Sequence, residues 1–102
     1  MRFDWDDGKD ARNRRDRRLP FSLAELLFAG PVLERIDARR DYGEVRVQAV
    51  GQVADVVLFC VYTDRLTGGL ETRWIISLRV ADRKERAEYH VWLERKKAVQ
   101  SE

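Results

Sequence analysis

At 102 residues the chain has room for one domain, and it must build an economical core because short chains bury a smaller share of their surface. Hydrophobic residues at 44% suffice for one core and charged residues at 37% keep the rest solvated, which excludes a disordered chain and a membrane span. The net charge is only +2, yet Lys9, Arg12, Arg14, Arg15, Arg17 and Arg18 crowd one stretch against Asp10 and Asp16, so local density matters more than the sum.

Residues Arg2 to Trp5 alternate polar and apolar, which predicts a short strand. Asp6-Asp7-Gly8 then breaks the pattern and offers cap side chains to a helix from about Asp7 to Arg18. That helix has few apolar residues, so it depends on tertiary or partner contacts, and Pro20 ends it. Ser22 is placed to cap a second short helix, Leu23 to Phe28, with Leu23, Leu26 and Leu27 as its apolar stripe before Gly30-Pro31. Val32 to Ile36 reads as a strand. Asp41-Tyr42-Gly43 reads as a turn into Val45 to Val50, where Val45, Val47 and Ala49 alternate with Arg46 and Gln48.

Val56 to Thr63 is an almost continuous apolar run, the pattern of a strand covered on both faces, and is expected at the centre of the sheet. Leu66 to Gly69 forms a hairpin loop into Glu71 to Val80. Strict alternation there would place Thr72, Trp74, Ile76, Leu78 and Val80 on one face and Arg73, Ile75, Ser77 and Arg79 on the other. A last helix follows, with Asp82 as its cap and Glu85 at capping-box spacing. The sum is a single α+β domain over residues 1–102, an antiparallel sheet packed with N-terminal helices and a C-terminal helix, with residues 93–102 as a charged helical or frayed tail.

Cys60 is the single cysteine and sits in an apolar run, so no disulfide forms within the chain and a reducing compartment, the cytoplasm, is the expectation. The N-terminus has no apolar leader, and no run is long enough to cross a bilayer. His90 is the only histidine, which removes a two-histidine acid–base mechanism and any His–Cys metal cluster, and no cofactor motif occurs. Chemistry is left to Arg, Lys, Glu, Asp or Tyr. On the face of Arg73, Ser77 and Arg79, guanidinium groups suit a phosphate, and solvated cross-strand ion pairs are the competing reading. Glu85 can serve as a general base or only as a cap, with Tyr89 sharing its helical face.

Several segments together resemble the BrnT toxin family, of the RelE-like superfamily. They are Trp5-Asp6, Lys9, Asn13 and Phe21; Tyr42-Gly43-Glu44-Val45-Arg46; Val61-Tyr62-Thr63-Asp64-Arg65; and above all Arg73-Trp74-Ile75-Ile76-Ser77-Leu78-Arg79-Val80-Ala81, followed by Glu85-Arg86 and Tyr89. The resemblance implies a RelE-like fold and a ribonuclease toxin. It further implies a BrnA-like antitoxin partner, through which alone DNA would be contacted. Carried onto these positions, it implies Arg79, Glu85, Arg73 and Tyr89 as catalytic residues and Arg65, Lys9, Asn13, Arg17 and Arg18 as RNA contacts, with no metal. Where the family has Lys-His-Gly, this chain has Asp16-Arg17-Arg18, so the end of the first helix can supply only positive charge. The competing reading is a non-catalytic protein- or nucleic-acid-binding module on the same fold.

Overall fold

The computed structural model describes residues 1–100. In chain order it contains β1 (Arg2–Trp5), α1 (Asp7–Arg17), α2 (Leu23–Ala29), β2 (Val32–Ile36), β3 (Val47–Val53), β4 (Val56–Thr67), β5 (Leu70–Val80) and α3 (Arg83–Gln100). The five strands form one sheet in the order β1-β5-β4-β3-β2, with β4 central as its apolar run requires. Four strands are antiparallel, as expected. The sheet as a whole is mixed, because β1 pairs with β5 in parallel.

One face of the sheet packs on α2. Phe21, Ala24 and Leu27 meet Ala49, Leu58, Cys60, Tyr62, Ile75 and Leu78, all of them buried. The helix approaches β3 at Gly51, where an added Cβ would lie 2.9 Å from Leu27 Cγ. Leu26, expected in the apolar stripe, is 58% exposed, and Phe21 takes its place in the core. Ser22 makes no side-chain cap; the first turn of α2 is instead closed by Leu23 N–H donating to the Pro20 carbonyl and Ala24 N–H to that of Phe21.

The opposite face packs on α3, where Val50, Val57, Phe59, Val61 and Ala81 surround Tyr89, with Leu33, Ile76, Trp92 and Leu93 at the margin. α3 continues through residues 93–100 of the expected tail, and residues 101–102 lie outside the described residues. No helix among the described residues is long and apolar enough to cross a membrane.

α1 is held by polar groups, since Asn13 is its one buried residue. β1 covers the edge of β5 only along Thr72 to Ile75, which leaves backbone groups farther along open. Asn13 Nδ2 fills that gap, donating to the Leu78 carbonyl (3.0 Å) and to the Leu19 carbonyl (2.8 Å). Asp10 accepts from Phe21 N–H at 2.8 Å and ties the helix to the start of α2. Asp6 caps the helix through Lys9 N–H, and Arg18 ends it at φ 58.

Strict alternation fails in β5. Val61 pairs with Ser77 but Tyr62 pairs with Ile75, so Ile76 is an extra residue, a bulge. Ile75 and Leu78, three apart, therefore both face α2, while Ile76 joins the cluster beneath α3. The expected face uniting Arg73, Ile75, Ser77 and Arg79 does not exist, because the bulge reverses the phase of the strand between Arg73 and Arg79.

Candidate active site

Register assembles two cross-strand rows on the α3 side of the sheet. Leu33 lies opposite Val50, Val50 opposite Phe59, and Phe59 opposite Arg79. In the neighbouring row Arg35 lies opposite Gln48, Gln48 opposite Val61, and Val61 opposite Ser77. α3 begins over the end of the first row. Its capping box is complete: Glu85 N–H donates to Asp82 Oδ1 and Asp82 N–H donates to Glu85 Oε1, both at 2.8 Å.

The strand end and the helix start bring Arg79 and Glu85 together. The two terminal nitrogens of Arg79 donate to the two oxygens of Glu85, each at 2.8 Å, in a two-point pair. The guanidinium carbon lies 4.1 Å from the centroid of the Phe59 ring, on its cation-attracting face. Arg79, with help from Asp82 N–H, holds the Glu85 carboxyl below the usual carboxylate range against the opposing effect of burial, and the pair raises Arg79 in turn. One helical turn on, Glu88 accepts from Arg35 at 2.8 Å and lies 3.9 Å from the Lys84 ammonium.

Between the start of α3 and the sheet lies a cleft of about 230 Å³. Leu33, Val50 and Phe59 give it apolar walls, and Arg35, Gln48, Glu85 and Glu88 are among its polar ones. Among the described residues, no three His, Cys, Asp or Glu side chains converge in a way that could hold a metal ion.

Of the residues expected at the site, Arg79 and Glu85 are brought together and others are separated from them. Arg73 is on the α2 side, paired through two nitrogens with Asp64 (2.9 and 3.0 Å) and stacked 4.1 Å from the Tyr62 ring and 4.6 Å from that of Phe28. The Tyr62 hydroxyl in that cluster donates to Glu34, and burial with this bond pushes the phenol above its usual range. Tyr89 is 1% exposed, and its hydroxyl donates to the Pro31 carbonyl at 2.9 Å, so it touches backbone rather than solvent.

Arg65 is on the same side as Arg79 but near the far end of β5, opposite Thr72, where it stacks 4.7 Å from Trp74 and pairs with Glu44 at 3.3 Å. Lys9, Arg12 and Arg17 line a second, shallower cleft with Ile76 and Ser77. Asn13 is committed to backbone, and Arg17 donates to the Leu78 carbonyl (3.1 Å) and to Asn13 Oδ1 (3.3 Å). Arg18 is exposed at the end of α1.

Sequence reasoning missed Arg35, Gln48, Lys84 and Glu88. Leu33 with Arg35, and Gln48 with Val50, each share one face of a strand, but only register shows that they adjoin one another and Phe59.

Comparison with known proteins adds one finding. The family model described as "Ribonuclease toxin, BrnT, of type II toxin-antitoxin system" matches residues 5–85, which include strands β2 to β5 and the Arg79–Glu85 pair. The comparison with curated proteins finds no match.

Proposed function

The chain belongs to the BrnT family of ribonuclease toxins of type II toxin–antitoxin systems, and from that membership we propose that it cleaves RNA without a metal ion at the cleft where Arg79 meets Glu85. The observation that carries the reading is the two-point Arg79–Glu85 pair at the end of a cross-strand row, beside a cleft with apolar walls. A guanidinium that fits a carboxylate at two points fits a phosphate in the same way.

An incoming phosphate takes the place of Glu85 on the Arg79 fork. Glu85 then loses the partner that depresses its pKa and becomes a better base. The carboxylate takes the proton of the ribose 2′-hydroxyl, the 2′-oxygen forms a bond to phosphorus, and the bond from phosphorus to the 5′-oxygen breaks. The leaving oxygen takes a proton from solvent, and the strand ends in a 2′,3′-cyclic phosphate. Arg79 stabilises the charge that accumulates on the phosphate, where a single donor contributes roughly 10²–10³ in rate. Tyr89 acts as a positioning residue, fixing α3 to the Pro31 carbonyl one turn behind Glu85. Arg73 and Arg65 lie outside direct reach of this pair and serve the sheet or more distant RNA contacts.

A type II family implies a protein antitoxin as partner. We assign that role to a BrnA-like protein, with an acidic segment docking on the basic surface of α1, and DNA contacted only through the antitoxin. The competing reading, a binding module, draws on the same pair, since in this structure Arg79 and Glu85 satisfy each other. The deciding experiment is cleavage of a defined RNA in EDTA by wild type, Arg79→Ala and Glu85→Gln, with product ends identified. Cyclic or 3′-phosphate ends, lost in both variants, support the enzyme. A folded wild type that cleaves nothing, with or without ribosomes, leaves the binding module.

A further inference from the structure

The polar side chains lining the cleft differ in what they already hold. Glu85 is committed to Arg79 and to Asp82 N–H, Asp82 to Glu85 N–H, and Arg35 and Lys84 to Glu88. Gln48 alone among them has no hydrogen-bond partner for its side-chain amide among the described residues. It is fixed in place from below: β3 pairs it with Arg35 on one side and Val61 on the other, and Val50, two residues on, shares its face and is buried under α3. The amide, one acceptor beside two donors, is thus held on a rigid strand at the cleft and left unpaired.

The shape of the cleft narrows what such a group would meet. Leu33 is the half-buried apolar wall on which the face of a flat ring could rest, with Val50 and Phe59, 7% and 8% exposed, beneath it, and Gln48 stands in the next row, where the edge of that ring would lie. The charged side chains beside it are already held by one another, Glu85 by Arg79 and Glu88 by Arg35 and Lys84. A primary amide bonds a base edge at two points, and the adjacent acceptor and amino group of adenine are its customary partner. Proteins read single-stranded RNA in this manner, with a base splayed onto apolar or aromatic surface and bonded along its edge.

We propose that Gln48 is the specificity-determining residue of the site: it reads the base next to the cleaved phosphate and favours adenine. The inference takes its ligand class from the ribonuclease reading and adds what that reading leaves open, the sequence preference and the residue that sets it.

The test uses binding rather than turnover, so that it stands apart from cleavage. Short 2′-O-methyl oligoribonucleotides, which cannot supply the attacking hydroxyl, differ in one base only and are titrated into wild type and Gln48→Leu. Binding is read by anisotropy and by the NMR signal of the Gln48 side-chain amide. The expected result is tightest binding of the adenine oligonucleotide, by on the order of tenfold, with the Gln48 amide shifted by that oligonucleotide and less by the others. Gln48→Leu then levels the four affinities and leaves the weakest unchanged. The proposal is overturned by binding without an adenine preference, by a preference that survives in Gln48→Leu, or by no binding of any oligonucleotide. If Gln48→Leu does not fold, the wild-type affinities and amide shift decide. Failure of the ribonuclease reading is seen separately, as absence of cleavage of unmodified RNA by wild type.

Discussion

Arg79 and Glu85 each offer the other what a reacting ribonucleotide would need, and the consequences can be separated by substitution. Arg79→Lys keeps the charge and loses the two-point fork. It is expected to fold normally and to cleave roughly 10²-fold more slowly in single-turnover assays. Glu85 has two jobs. Glu85→Gln retains a side chain able to close the capping box and loses the base, so α3 persists while cleavage falls by about 10²–10⁴. Glu85→Ala also opens the cap and costs about 1 kcal/mol in a urea titration. Because Arg79 holds the Glu85 carboxyl below its ordinary range, the stability that this pair contributes is present above the ordinary carboxylate pKa and is lost as pH falls through the depressed folded value. The urea midpoint of wild type should therefore drop more on acidification than that of Glu85→Gln; equal drops would refute the pair as its source. At this scale the capping box was legible, since Asp82 and Glu85 carry it in local spacing. Resemblance implied Arg79 and Glu85 as site residues, but their pairing was not foreseen, because it depends on a helix folding back over a strand end. Tyr89 was expected on the helical face of Glu85, and spacing says nothing of its burial, which is nearly complete.

At the scale of elements, one extra residue in β5 decides which of its arginines meets Glu85. Arg73-Trp74-Ile75-Ile76-Ser77-Leu78-Arg79 contains no glycine or proline to mark the bulge at Ile76, so alternation read through it assigns Arg73 and Arg79 to the same side. The strands themselves were readable: β2 has the expected bounds, and the apolar run of β4 fixed the centre of the sheet. The parallel pairing of β1 was not, since its partner lies most of the chain away. Gly51, one residue past the expected end of its strand, sets the distance between α2 and β3. Gly51→Ala places a Cβ 2.9 Å from Leu27 Cγ and should cost about 1–3 kcal/mol by overpacking. Leu27→Ala alone should also destabilise, and the double substitution should cost clearly less than the sum of the two. Additive losses in denaturant titrations would show that the contact does not limit packing.

On the scale of the whole molecule, charge and core divide the labour. The +2 net charge hides an α1 whose Lys9, Arg12 and Arg18 extend into solvent from a helix held by Asn13. Replacing Lys9 and Arg12 by Ala should weaken RNA binding at every sequence and lower the slope of log affinity against log salt. On a single strand the slope falls by roughly 0.7 for each phosphate that is no longer neutralised. The cleavage rate at saturating RNA should stay the same; an unchanged slope would remove α1 from the RNA path. The clustering of these cations was plain in the sequence, while their placement beside Ser77 and Ile76 required the fold. Cys60 points to another use of this architecture. It is fully buried in the central strand, and desolvation pushes its thiol up to about 12. The thiolate is the form that attacks alkylating reagents, so a native molecule offers them almost nothing until the sheet itself opens. The chain therefore carries one chemical clock for its own opening: the rate at which Cys60 is alkylated counts excursions of the central strands, and a partner that binds only the closed form should slow it in proportion to its occupancy.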